Sequence, residues 1–159
     1  MGAGKTSVGT ALAEQLGWSF VDLDLLVEKQ AGRSIAQIFE QSGEPAFRAL
    51  EREAAKQALA GERRVIAAGG GAFADQQTRE LLRGAAATVY LECDLDTLLG
   101  RVPLDGSRPL AGNRETMRRL LLAREASYRR ADVTVDASRS TPAELAREIA
   151  RALFAPPPG

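Results

Sequence analysis

Apolar residues recur at helical spacing from Lys5 to Leu16, at Val8, Ala11, Leu12 and Leu16, and Gly17 supplies a stop. WSFVDLD is short, aromatic and β-branched, and predicts a buried strand that ends in two acids. LLVEKQAG predicts a short helix closed by Gly32. Ser34-Ile-Ala-Gln37 opens another with a capping box, its Ile35, Ile38 and Phe39 on one face. After a break at Ser42-Gly43, Pro45 stands where FRALEREAAKQALA can start as a helix. RRVIAA predicts a strand that runs into the tight loop Gly69-Gly70-Gly71. A helix around Gln76–Leu82, a strand in ATVYLEC and a helix from about Asp94 follow. PLDGSRPLAGN predicts a Pro/Gly-rich functional loop. Arg114 to Tyr128 then predicts a basic amphipathic helix, DVTVDAS a last strand, and Thr141-Pro142-Ala143-Glu144 a capped helix start, with a frayed tail at APPPG. Strands alternating with helices over the chain predict one α/β domain, 1–159, with a parallel sheet.

Composition narrows the chemistry. The 159 residues suffice for one substantial core, and 45% hydrophobic with 26% charged residues is a globular balance. Lys+Arg and Asp+Glu both total 21, so no net basic field points to nucleic acid or an anionic membrane. No apolar run is long enough to span a bilayer, and the polar loop after Met1 argues against a secretory signal, so a cytoplasmic protein is expected. Cys93 is the single cysteine and histidine is absent, which excludes an intramolecular disulfide, Ser-His-Asp chemistry and His-ligated metals. A metal would need oxygen ligands, which favours Mg²⁺.

Four clusters of residues can carry chemistry. Gly4-Lys5-Thr6 fits the last three positions of the phosphate-loop pattern G-x-x-x-x-G-K-[ST], whose first glycine would precede Met1 by two residues. Backbone N–H groups there would bind phosphate, Lys5 would reach the outer phosphates and Thr6 would ligate Mg²⁺. A glycine-rich helix start with a solvated lysine explains the triplet alone equally well. Asp22 and Asp24 close the next strand, where ligands of α/β sheets bind, one able to hold Mg²⁺ through water and the other to accept from a hydroxyl nucleophile. A helix N-cap or solvated strand end is the alternative.

Arg48, Glu51 and Arg52 share a helix face; an exposed Glu51–Arg52 pair is the ordinary explanation, whereas Arg48, after the core anchor Phe47, could fork onto a carboxylate. Gly69, Gly70 and Gly71 make a tight turn or admit a ligand very close to backbone. Arg108, beside Pro109 in a glycine-flanked loop, has the setting of a lid arginine that reaches a transferring phosphate.

Together, MGAGKTSVG, FVDLD, GRSIAQIFEQSGEPAFRALE, VIAAGGGA, SRPLAG and REASYRRAD resemble the shikimate kinases, small P-loop kinases of the nucleoside-monophosphate-kinase type, from Met1 to about Pro142. The segment G-x-S-I-x-x-I-F-x-x-x-G-E-x-x-F-R-x-x-E, here Gly32 to Glu51, carries the most specific part of the likeness. The resemblance implies a three-layer fold whose five-stranded parallel sheet has its first strand central; that strand and the first loop glycine have no counterpart in this chain. It implies an acceptor-binding segment at about 24–52 and a lid at about 102–113.

By position, the resemblance implies that Gly2, Ala3, Gly4, Lys5, Thr6 and Ser7 hold ATP phosphates. It makes Thr6 and Asp22 the Mg²⁺ pair, and Asp24 the candidate base on the shikimate hydroxyls. Arg48 and Arg124 would grip the shikimate carboxylate, with Glu51 orienting that network and Gly69, Gly70 and Gly71 against the ring. Arg101 would pack on adenine and Arg108 would be the lid arginine. Where relatives often carry R-x-P-L-Y, this chain has Arg124-Glu-Ala-Ser-Tyr128, which keeps the Arg and Tyr spacing. The implied reaction is phosphoryl transfer from ATP to the shikimate 3-hydroxyl, by a monomer. Rival readings are a kinase of another small hydroxyl compound, such as gluconate, and an inactive nucleotide-binding module.

Overall fold

The computed structural model describes residues 3–101 and 114–155. Its elements run α1 (Lys5–Leu16), β1 (Ser19–Asp22), α2 (Leu23–Ala31), α3 (Ile35–Leu59), β2 (Arg64–Ala67), α4 (Gly70–Ala74), α5 (Gln76–Ala85), β3 (Val89–Glu92), α6 (Leu95–Arg101), α7 (Arg114–Tyr128), β4 (Val133–Asp136) and α8 (Pro142–Phe154).

The chain marks most boundaries itself. Gly17 and Gly32 end α1 and α2 at φ 66° and 65°, conformations that cost other residues a steric penalty. Ser34 and Thr141 close full capping boxes with Gln37 and Glu144. The expected break at Ser42-Gly43 is a kink within α3, where Gly43 adopts φ 78° and ψ 173°. Two details differ from expectation. The strand stops at Asp22, because its carboxylate captures the N–H groups of Asp24 and Leu25 and turns the chain into α2; Asp24 therefore lies in a helical first turn. After β2, Gly69 caps and Gly70 and Gly71 open the short helix α4, where a tight loop is expected.

Among the described residues all pairing is parallel, as the strand–helix alternation predicts. Ser19–Asp22 pairs with Arg64–Ala67, and Val89–Glu92 with Val133–Asp136. Among the described residues these pairs form two separate two-stranded sheets. A cavity of about 1130 Å³ touches both Val65–Ala67 of β2 and Val89–Leu91 of β3, together with Val8 and Leu12 of α1. Trp18 also lines it and meets Phe154 edge-on, ring centroids 5.8 Å apart. The volume exceeds a usual small-molecule site because a slot between the two sheets is continuous with the polar cleft described below.

Two main clusters bury the apolar faces. One joins α2, α3 and α5 through Leu23, Val27, Ile38, Phe47, Ala54, Ala55, Ala58 and Leu82. The other packs α1 on α8 and β4 through Val8, Leu12, Val135, Leu145, Ala146 and Ile149. At about 25 cal/mol per Å² of apolar area, such faces supply most of the stabilisation that fixes the site-bearing helix starts. No described helix is long and apolar enough to cross a membrane.

Candidate active site

The start of α1 differs from the other long helices. Asp22, Ser34 and Thr141 place side-chain oxygens on the first N–H groups of α2, α3 and α8. At α1 the N-cap is Gly4, with φ 81°, no side-chain cap and no acid in the first turn. Its leading N–H groups lie at the positive end of the helix, a setting that suits an anion. Lys5 is the first residue of that helix, with Thr6 and Ser7 in the same turn.

Asp22 ties this turn to the next helix. One oxygen caps α2, accepting from Asp24 N–H at 2.9 Å, and the other accepts from Thr6 Oγ1 at 3.1 Å. The N-cap reading and the site reading of Asp22 are therefore compatible. Thr6 and Asp22 offer a hard, oxygen-only donor pair, which suits an ion that keeps several waters and phosphate oxygens. Among the described residues no cluster of three carboxylate or thiol side chains could hold a metal by itself.

Across the cleft, α3 presents Arg48 on one flank of its helix. The guanidinium donates to Glu51 at 2.7 Å and to Glu44 at 3.0 Å, and lies over the Phe47 ring, 5.1 Å from its centroid. Glu51 is 2% exposed and pairs with Arg48, not with Arg52, contrary to the ordinary expectation for that face. Arg52 instead reaches Asp75 at 3.8 Å, the N-cap of α5, a tertiary partner that local spacing does not reveal. Burial pushes the Glu51 carboxyl up, Arg48 opposes that shift, and the charges of Asp24 and Asp75 add to it. Burial works against the Arg48 charge, but Glu51 and Glu44 outweigh it and hold the guanidinium firmly protonated.

The three glycines form the floor where these groups meet. The space that a Cβ on Gly69 would take lies 3.3 Å from Asp24 Oδ1 and 3.7 Å from Glu51 Oε1. At Gly70 it lies 3.3 Å from Tyr128 Cζ and 3.9 Å from Arg124 Nη1. At Gly71 it would fall 2.6 Å from Arg48 Nη2, a clash. The glycines thus let three helices bring side chains onto one backbone segment. Those side chains are two arginines, two carboxylates and a phenol, all lining the same cavity as Lys5 and Thr6 except where the wall is apolar.

Relatives show the same arrangement of chain. A family model for shikimate kinase matches residues 1–154. A shikimate kinase of Thermobifida fusca is 47% identical over 155 residues, 96% of this chain and 90% of that protein. The chain belongs to the shikimate kinase family. A shikimate kinase of Cereibacter sphaeroides is 41% identical over 160 residues, 99% of this chain and 80% of its own length. Among solved structures, the shikimate kinase of Acinetobacter baumannii in complex with shikimate superposes with a TM-score of 0.93 at 35% identity, covering 97% of this chain and 88% of the other. The enzyme from Aquifex aeolicus gives 0.86 at 34%, covering 96% and 91%.

Membership fixes the activity as that of a shikimate kinase, a transferase of aromatic amino-acid biosynthesis that uses ATP. Of the residues that the sequence singles out for this family's chemistry, Ala3, Gly4, Lys5, Thr6, Ser7, Asp22, Asp24, Arg48, Glu51, Gly69, Gly70, Gly71 and Arg124 lie within the described residues. All but Gly4 and Ser7 line the same cavity. Gly2, Arg108, the lid segment 102–113 and the Arg101 side chain lie outside the described residues. Tyr128 joins these residues, although in the sequence only its spacing from Arg124 sets it apart. Its signal was the i, i+4 relation to Arg124, which places both on one side of α7.

Proposed function

We propose that this chain phosphorylates the 3-hydroxyl of shikimate with ATP and Mg²⁺ through the cleft between the α1 start and the glycine floor. The observation that carries the residue roles is the convergence of Asp24, Arg48 and Arg124 on Gly69–Gly71 beside an uncapped helix start. The relative from Acinetobacter baumannii was solved with shikimate, an alcohol that bears a carboxylate. Two arginines from different helices suit that anion better than a neutral sugar.

On this reading, the Gly4 turn and Lys5 hold the outer ATP phosphates, with Ala3 and Ser7 beside them. Thr6 and Asp22 would hold Mg²⁺. The metal supplies charge neutralisation on the phosphate oxygens. Arg48 and Arg124 fix the acceptor carboxylate, while Glu51 holds Arg48 in place. Asp24 orients the acceptor hydroxyl and takes its proton late, since the phosphoryl-transfer transition state is loose and positioning outweighs deprotonation. Arg108 acts as the lid arginine and Arg101 packs on adenine. The protein is read as a cytoplasmic monomer.

The finer fold belongs to the same proposal. One cavity touches Val65–Ala67 of β2 and Val89–Leu91 of β3, so a fifth parallel strand between them would complete one continuous sheet. The test of function is product analysis with purified chain, ATP, Mg²⁺ and an acceptor panel. Shikimate 3-phosphate as the sole new phosphate ester supports the reading. Preference for gluconate would move it to another small-molecule kinase, and ATP binding without any ester would favour an inactive module.

A further inference from the structure

We propose that Tyr128 is a positioning residue for the acceptor clamp: its phenol oxygen, seated between Gly70 and the Arg124 guanidinium, sets where Arg124 presents its charge. The inference rests on the reading of Arg124 as part of that clamp and adds a group to it.

Three contacts fix the phenol. Its Cζ stands 3.3 Å from the space a Cβ on Gly70 would fill, so only glycine lets the ring come this close to the backbone of α4. Arg124 hydrogen-bonds the phenol oxygen from one turn earlier on α7. Behind it, Tyr90 of β3 packs against the ring with centroids 5.2 Å apart and planes at 36°. The tyrosine is thereby held by a helix, a strand and a glycine floor, each belonging to a different part of the chain.

The chemistry of the holder matters. Arginine has several rotatable bonds and gains little from pointing anywhere in particular until something fixes its fork. Arg48 is fixed by carboxylates, Glu51 and Glu44, which offset part of its charge. Tyr128 gives Arg124 a neutral oxygen instead. Burial raises the phenol's pKa, with the nearby Arg124 and Arg48 charges acting against that, so it stays un-ionised near neutral pH. A neutral anchor orients the guanidinium without cancelling the charge that an anionic acceptor needs.

The experiment compares Tyr128→Phe, Arg124→Ala and the double variant by steady-state kinetics and thermal melting. Tyr128→Phe keeps the ring, and with it the Tyr90 contact, but removes the oxygen. The expected result is a shikimate KM raised roughly tenfold, with kcat and the ATP KM within about twofold of the parent. Arg124→Ala should raise the shikimate KM further, and adding Tyr128→Phe to it should change nothing more. A raised KM in Arg124→Ala beside an unaltered Tyr128→Phe would leave the clamp standing and overturn the positioning role. So would an effect of Tyr128→Phe that persists undiminished without Arg124. An unaltered Arg124→Ala would remove the clamp itself and this inference with it. A fall in kcat and melting temperature with no KM change would make Tyr128 a packing residue only and sink the proposal.

Discussion

Arg48 and Glu51 stand three residues apart on α3 and share a 2.7 Å charged hydrogen bond, with the carboxylate 2% exposed and the guanidinium side chain 13% exposed. A buried carboxylate of this kind is tolerable only while its cation is present. On the proposed reading, Arg48 would serve the acceptor and the fold at once.

Arg48→Ala should raise the shikimate KM about 100-fold through loss of a charge-assisted fork, and leave the ATP KM nearly unchanged. It should also lower stability by about 3 kcal/mol, because Glu51 is left buried and unpaired. Combining it with Glu51→Gln should recover much of the stability but none of the affinity. Denaturant titration and substrate saturation curves separate the two effects. An unchanged shikimate KM would take Arg48 out of the clamp.

Asp24→Asn should lose about 100-fold or more in kcat while ATP affinity stays within about twofold. The side chain sits against Gly69, at the proposed acceptor end of the cleft. Turnover near the parent value would leave it neither a base nor an orienting group.

Asp22 has two oxygens with two duties, and two substitutions divide them. Asp22→Asn keeps an acceptor for the α2 cap and should mainly raise the Mg²⁺ concentration needed for half-maximal rate. Asp22→Ala should add a loss of about 1 kcal/mol from the uncapped helix. Equal Mg²⁺ dependence in all three proteins would limit Asp22 to capping.

Asp94 gives a pH signature away from the cleft. Hydrogen bonds from Thr97 N–H and Oγ1 lower its pKa from 3.8 to about 2. The folded state holds the ionised form, so this contribution is present above about pH 4 and is lost as pH falls towards 2. Melting curves of the parent and Asp94→Asn should differ at pH 6 and converge as acid is added through that window. A gap that is constant with pH would assign the effect to packing.

Much of this molecule could be read from residue order. Gly17, Gly32, Ser34 and Thr141 declare helix ends through local chemistry, and each falls where expected. The parallel pairing follows from strand–helix alternation. What was not legible depends on groups distant in sequence. Glu51 pairs with Arg48 one turn earlier, and Arg52 turns to Asp75 at the start of another helix, a partner that local spacing does not show. β1 ends at Asp22 because its carboxylate caps α2 from within the strand's last position. The triplet Gly69–Gly71 announced close approach, but not that Asp24, Arg48 and Tyr128 are what approaches. The acceptor end of the site was visible as single residues and became an arrangement only in three dimensions.

Trp18 is the single tryptophan of the chain, and it lines the slot between the two sheets with Phe154 against its edge. The indole is consequently a native fluorophore at the seam of the molecule. Its emission wavelength and quenching by small solutes report whether that seam is wet or filled, with no label attached and no substrate present.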